Sequence, residues 1–204
     1  MPPTWDDLHH HDHTFDGATL TDATLRACRF TRCTFRHTDL AQAFTTGCIF
    51  DACDFTGAAL NGSVHRETAF LNCRFHLAKL FAAEFHACKM TGSTFADADL
   101  AAVTIAGGDW SYTSLRFHDL RKRDLRGIRF AEADLYECDL RASDLRGCDL
   151  THANLQHAKL DKADLRGATM DGIDFAALTL NATRLDLTHA VLLARAHGAR
   201  IDLT

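Results

Sequence analysis

Large apolar residues recur at every fifth position from Phe15 to Leu185, and the frame never slips. The centres run Phe15, Leu20, Leu25, Phe30, Phe35, Leu40 and onward to Met170, Phe175, Leu180 and Leu185, broken only by Thr45 and His65. A helix repeats at about 3.6 residues and a strand at about 2, so a strict period of five fits neither. A fixed internal repeat is the mark of a solenoid. The position two residues before the centres is small: Ala18, Ala23, Cys28, Cys33, Thr38, Ala43, Cys48 and Cys53. Each pentad therefore has two inward sites and three outward, mostly polar ones. A second period overlies the first, because Leu20, Leu40, Leu60, Leu80, Leu100, Leu120, Leu140, Leu160 and Leu180 lie twenty residues apart. Four pentads make one four-sided turn, and like residues stack on like. A disordered low-complexity chain lacks such an apolar stripe.

Segments such as Ala133-Asp134-Leu135, Ala153-Asn154-Leu155 and Ala163-Asp164-Leu165 resemble the A(D/N)Lxx repeat of pentapeptide repeat proteins. The resemblance covers residues 13–187 and implies an all-β solenoid, a right-handed quadrilateral β-helix. Residues 1–12 read as a lead-in, and residues 188–204 as a C-terminal helix and tail that cap the coil. Thr188 to His197 has helical character, with Gly198 as its stop and Asp186 or Thr188 as its N-cap. Its apolar residues spread over too wide an arc for one contact. One part can cover the last coil and the rest is free for a partner. The ending Ala163–Thr169 followed by Ala196-His197-Gly198 looks like the quinolone-resistance (Qnr/MfpA-like) group of the family. That likeness implies an end-to-end homodimer, with Leu187, Ala190, Val191, Leu193 and Ala194 as the dimerisation residues. No loop interrupts the frame.

The chain has 204 residues, is 47% hydrophobic and carries a formal charge of −5, which suits one soluble domain. No apolar run is long enough to span a membrane. Residues 1–13 lack the basic and apolar regions of a secretory signal, so a cytoplasmic location is the expectation. All eight cysteines fall in the small inward position, as core filler would. Stacked cysteines such as Cys33, Cys53 and Cys73 would also lie within Cα reach of a disulfide. His9, His10, His11, Asp12 and His13 are the obvious metal candidates, but a built site needs more than one rigid segment. No phosphate loop, nucleophile elbow or HExxH motif is present, so the expectation is a non-enzyme without cofactor or metal. Thr45 and His65 lie one turn apart, each preceded by an apolar residue. A bulge turning Phe44 and Val64 inward is the expected repair, with a polar pocket at His65 as the alternative.

Charged residues also align. Asp124, Asp144 and Asp164 form one ladder, and Arg126, Arg146 and Arg166 another beside it, and for the arginines the favoured reading is a charge-paired surface. Asp99, Asp119 and Asp139 form a second acidic ladder, and Asp109 lies on another face. Residues 1–120 hold 9 Lys+Arg and 14 Asp+Glu, a net −5, and residues 121–204 hold 13 of each. The resemblance to the quinolone-resistance group implies a rod shaped like duplex DNA that binds DNA gyrase or topoisomerase IV and protects it from quinolone-type poisons. It implies no direct binding of nucleic acid. The acidic ladders Asp99, Asp109, Asp119, Asp139, Asp124, Asp144 and Asp164 are then the candidate partner-binding residues. At ~4.8 Å per turn the rod is ~40 Å long, a length over which DNA carries about 24 charges. A net −5 is far fewer, so mimicry would depend on aligned carboxylates. The alternative is a non-catalytic scaffold for another partner, supported if Leu77, Phe81, Tyr112, Phe117 and Tyr136 cluster on the surface.

Overall fold

The computed structural model describes residues 2–201; the last three residues of the expected tail lie outside them. The period of five becomes one side of a coil because each pentad ends in a tight turn. The N–H of Ala18 donates to Phe15 O at 3.0 Å, and that of Ala23 to Leu20 O at 3.1 Å. The third residue of each turn is left-handed, as in Gly17 (φ 68°) and Asp22 (φ 57°), the geometry of a type II turn. The same left-handed position recurs at every corner from Asp7 to Ala182 except Ala177, which lies in the 3₁₀ turn Phe175–Ala177.

Two of the four sides carry short strands. β1 (Thr4–Asp6), β3 (Thr24–Arg26), β5 (Phe44–Thr46), β7 (Val64–Arg66), β9 (Glu84–His86) and β10 (Thr104–Ala106) stack into one parallel sheet. β2 (His9–His11), β4 (Arg29–Thr31), β6 (Ile49–Asp51) and β8 (Ala69–Leu71) form the next. The other two sides are joined by single bridges such as Thr14↔Thr34 and Thr19↔Asp39. The register is twenty residues throughout, from Thr4↔Thr24 to Asp164↔Arg184. The coil thus begins at Thr4, within the stretch assigned to a lead-in.

Pentad centres and their small partners fill the interior. Phe15, Phe35, Phe55, Phe75 and Phe95 stack face to face with centroids 4.8–4.9 Å apart, the rung spacing itself. The neighbouring column Phe30, Phe50 and Phe70 meets them edge to face, the favourable arrangement for aromatic pairs. All eight cysteines are buried and free. Burial pushes the Cys138 and Cys148 thiols up to about 12, which makes them unreactive filler.

The expected bulge at Thr45 and His65 is absent. β5 and β7 pair in register, and Thr45 and His65 themselves point inward, each 2% exposed. Phe44 and Val64 are half-buried on the outer side. The polar centres are tolerated because they satisfy one another: His65 contacts Thr45 at 2.8 Å and Ser63 at 2.9 Å, and Thr45 contacts Thr68 at 2.9 Å.

The C-terminal helix α1 spans Leu187–Ala196, capped by Asp186, whose carboxylate accepts the N–H of His189. Gly198 (φ 86°) follows it in the left-handed conformation that stops a helix. α1 rests on the last turn through His189, 3% exposed, whose ring bonds Ala168 O at 3.0 Å and stacks on Phe175.

Candidate partner-binding surface

The outward position before each centre carries the carboxylates, and the coil sets them in line. Asp124, Asp144 and Asp164 are bridged in register, as are Asp119 and Asp139. Each of these five is clamped by the arginine two residues on. Arg126 bonds Asp124 at 2.8 and 2.6 Å, and Arg146–Asp144, Arg166–Asp164 and Arg141–Asp139 repeat that geometry. Arg121 holds Asp119 in the same way. Several arginines also reach the next rung, as in Arg121–Asp139 at 3.6 Å and Arg126–Asp144 at 3.7 Å. The Arg121 hydrogen bonds hold the Asp119 carboxyl down at about 2, and those of Arg166 do the same for Asp164. These carboxylates are ionised but neutralised in place. The aligned acids and arginines are one charge-paired ladder, not a bare acidic stripe.

Asp99 and Asp109 differ. Asp99 accepts only the N–H of Ala101, at 2.9 Å. Asp109 accepts from Ser111, with Arg129 at 4.0 Å. Asp109 lies in a column of alternating sign, Lys89, Asp109, Arg129 and Asp149. Asp99 is not bridged to Asp119, so the ladder expected through Asp99, Asp119 and Asp139 is broken between its first two members.

The break is a parting of the coil. Rung-to-rung bonds from the N–H groups of Asp97, Leu100, Ala102, Ile105 and Gly107 upward, and of Asp119 and Asp124 downward, are absent among the described residues. The turns on either side keep theirs, as in Leu80 to Asp99 and Leu120 to Asp139, both at 2.9 Å. The small inward positions here hold His118 and Arg123. A ring and a guanidinium do not fit between rungs ~4.8 Å apart where alanine, cysteine, serine, threonine or a β-branched aliphatic residue lies in the neighbouring turns. His118 donates Nε2–H to Phe95 O at 2.8 Å, and burial lowers its imidazole pKa. Arg123 Nε is buried without a partner. Sequence reasoning passed over both residues. Their signal was present: two consecutive pentads with a large polar group in the small column.

The exposed apolar residues gather only in part. Phe117 meets Tyr136 edge to face at 5.7 Å, Tyr136 meets His157 at 5.4 Å, and Arg116 lies 4.3 Å over the Tyr136 ring. On α1, Leu187 is 79% exposed and Leu192 39%. Ala190 is exposed as well, whereas Val191, Leu193 and Ala194 are half-buried. At the other end, His10 stacks on Phe30 at 5.5 Å. No group of three or more His, Cys, Asp or Glu among the described residues is placed to hold a metal ion. No helix among them is long and apolar enough to cross a membrane.

A coil of this register, with two inward residues per pentad, defines the pentapeptide repeat class. The family described as Pentapeptide repeats matches residues 28–64, 113–151, 133–172 and 143–185 in overlapping stretches, more than half of the chain. The chain belongs to that family. Over 100 residues it is 41% identical to the pentapeptide repeat protein MfpA of Mycobacterium tuberculosis (strain ATCC 25618 / H37Rv). That match covers 49% of this chain and 55% of MfpA, so it spans about half the length of that relative. A trypsin-treated variant of QnrB1, a plasmid-mediated fluoroquinolone resistance protein, superposes with a TM-score of 0.85 at 21% identity. The superposition covers 98% of this chain and 100% of QnrB1. A second trypsin-treated QnrB1 variant gives 0.79 at 21% identity, over 97% and 99%. At this identity the likeness to QnrB1 is one of fold.

Proposed function

We propose that this chain acts by binding rather than catalysis, as a quinolone-resistance protein that occupies the duplex-DNA site of DNA gyrase, or of topoisomerase IV, and protects the enzyme from quinolone-type poisons. The observation that carries this reading is the 41% identity to MfpA over 100 residues. It gains support from a coil that superposes along nearly its whole length on a fluoroquinolone resistance protein. A straight rod of ~4.8 Å rungs suits a saddle built for duplex DNA. Charge contributes less than the aligned aspartates suggest. With Asp119, Asp139, Asp124, Asp144 and Asp164 tied to arginines, Asp99 and Asp109 are the ladder acids left to carry electrostatic recognition. The proposal includes a homodimer through α1, whose exposed Leu187 and Ala190 lie beside Val191, Leu193 and Ala194. A dimer doubles the rod to about 80 Å by the same rung spacing.

A gyrase supercoiling assay with purified protein, with and without a fluoroquinolone, tests this reading. Inhibition or drug protection at micromolar protein is expected. No effect on gyrases from several bacteria would end it. A scaffold role for another partner would then take its place, favoured by the Arg116–Phe117–Tyr136–His157 cluster.

A further inference from the structure

The parting between the rungs of Asp97–Gly107 and Arg116–Arg126 has no counterpart in the turns just below and above it. Of the openings along it, two share Lys122 and Arg123. One, of about 510 Å³, is lined by Leu100, Ala101, Ala102, Asp119, Lys122 and Arg123, among others. The other, of about 200 Å³, lies around the corner. We propose that this seam binds a small oxyanion, with Arg123 as its principal charged ligand, Lys122 as the second, and the N–H groups of Leu100 and Ala102 as neutral donors.

The charge balance points to an anion. Arg123 is half-buried and makes no ion pair or hydrogen bond among the described residues, and its Nε is buried. A half-buried guanidinium with no direct anionic partner leaves part of its hydrogen-bonding capacity unmet, so the arrangement is completed by an incoming negative group. The flanking carboxylates make no direct bond to it: Asp119, near enough to feel its charge, is held by Arg121, and Asp124 by Arg126. Lys122 is exposed, with no carboxylate in ion-pair range among the described residues, at the junction of the two openings. Asp99, the remaining acid of the lining, turns back to accept the Ala101 N–H.

The backbone supplies the rest. In neighbouring turns the N–H groups equivalent to Leu100 and Ala102 point along the rod to the next rung, as Leu80 does to Asp99 and Ala82 to Ala101. Here the same groups point into the opening with nothing to bond. Two free amides beside a guanidinium form a cradle for an oxyanion, which accepts several hydrogen bonds at once. The oxyanion is either free phosphate or a carboxylate, the latter being the group a partner's acidic side chain would offer.

Titration of the ¹⁵N-labelled full chain with inorganic phosphate, and separately with acetate, against chloride at matched ionic strength, tests the site. Saturable shifts of the Leu100 and Ala102 amides are expected. The Arg123→Gln variant should weaken them at least tenfold, while Arg123→Lys keeps part of the affinity. Lys122→Gln, at an exposed position that no packing depends on, should weaken them severalfold and stands in if the Arg123 variants fold poorly. Saturation by phosphate alone supports the site and assigns free phosphate; an equal acetate response supports it and assigns a carboxylate. Absence of saturable shifts with either anion overturns it, as does undiminished binding in Arg123→Gln and Lys122→Gln.

Discussion

Thr45 Oγ1 and His65 Nδ1, one turn of the coil apart, are hydrogen-bonded at 2.8 Å in an otherwise apolar core. Burial pushes the His65 imidazole down to about 3. The folded state holds it neutral, whereas the unfolded chain protonates it near its ordinary pKa of about 6.5. Its contribution is therefore complete above about pH 6.5 and is lost as the pH falls toward about 3, by roughly 1.4 kcal/mol per pH unit. Urea unfolding of the wild type and His65→Phe between about pH 7.5 and about pH 4.5 should show the steeper loss in the wild type. Near pH 7.5 the two should differ by no more than about 1 kcal/mol, since Phe85 offers a stacking partner 5.0 Å away. Equal slopes would contradict a neutral buried His65.

The arginine clamps make a second, graded prediction. Asp164 is 8% exposed and is reached by Arg166, Arg146 and Arg184. Asp124 lies on the surface with Arg126 as its main partner. Asp164→Ala should cost about 1–3 kcal/mol in denaturant unfolding, because it strands several cations around a desolvated position. Asp124→Ala should cost less than about 1 kcal/mol. A reversed order would mean that the clamps do not hold the rungs together.

Much of this architecture was legible because one rule repeats along the chain. Pentad centres, small partners and the twenty-residue register follow from residue size alone, and α1 from Asp186 and Gly198. What escaped notice were local departures whose resolution depends on neighbours in the next turn. Thr45 and His65 look like faults until Ser63 and Thr68, polar in the small column, are placed beside them. Trp5 keeps the apolar frame, but His10 breaks it, so the first turn looked like a lead-in. The aspartate ladders were visible in the sequence. Their neutralisation was not, because it depends on arginine side chains folding back two residues rather than reaching outward.

The parted rungs should be visible in hydrogen exchange. The amides of Leu100 and Ala102 should exchange faster than those of Leu80 and Ala82 below and Leu120 and Lys122 above, all of which are bonded. Replacing both wedges, His118→Ala with Arg123→Ala, should let the rungs close and slow Leu100 and Ala102. Each restored backbone bond contributes about 0.5–1.5 kcal/mol. Exchange unchanged by the double variant would mean that side-chain bulk does not hold the seam open.

At the helix end, Leu187→Glu with Leu192→Glu should convert a dimer to a monomer in sedimentation while leaving the coil intact. Both residues are exposed, so the charge has no packing to disturb within one chain. His189→Ala should act differently, loosening α1 from Phe175 and Ala168 and lowering thermal stability. If the wild type sediments as a monomer, the end-to-end rod fails whatever the variants do.

Contact with gyrase should depend on Asp99 and Asp109, the ladder carboxylates that no arginine two residues on clamps. Asp99→Lys costs the fold little, because that side chain accepts only its own Ala101 N–H. Asp109 lies between Lys89 and Arg129, so charge removal, Asp109→Asn, is the safer change there. Together the two should weaken inhibition of supercoiling about tenfold, equivalent to ~1.4 kcal/mol, with most of the loss in association at low salt. Asp124→Asn, whose charge Arg126 already cancels, should change potency less than about twofold. Circular dichroism on each variant confirms that the coil persists. Equal potency across the three would assign gyrase recognition to shape and leave the aspartates with a purely structural role.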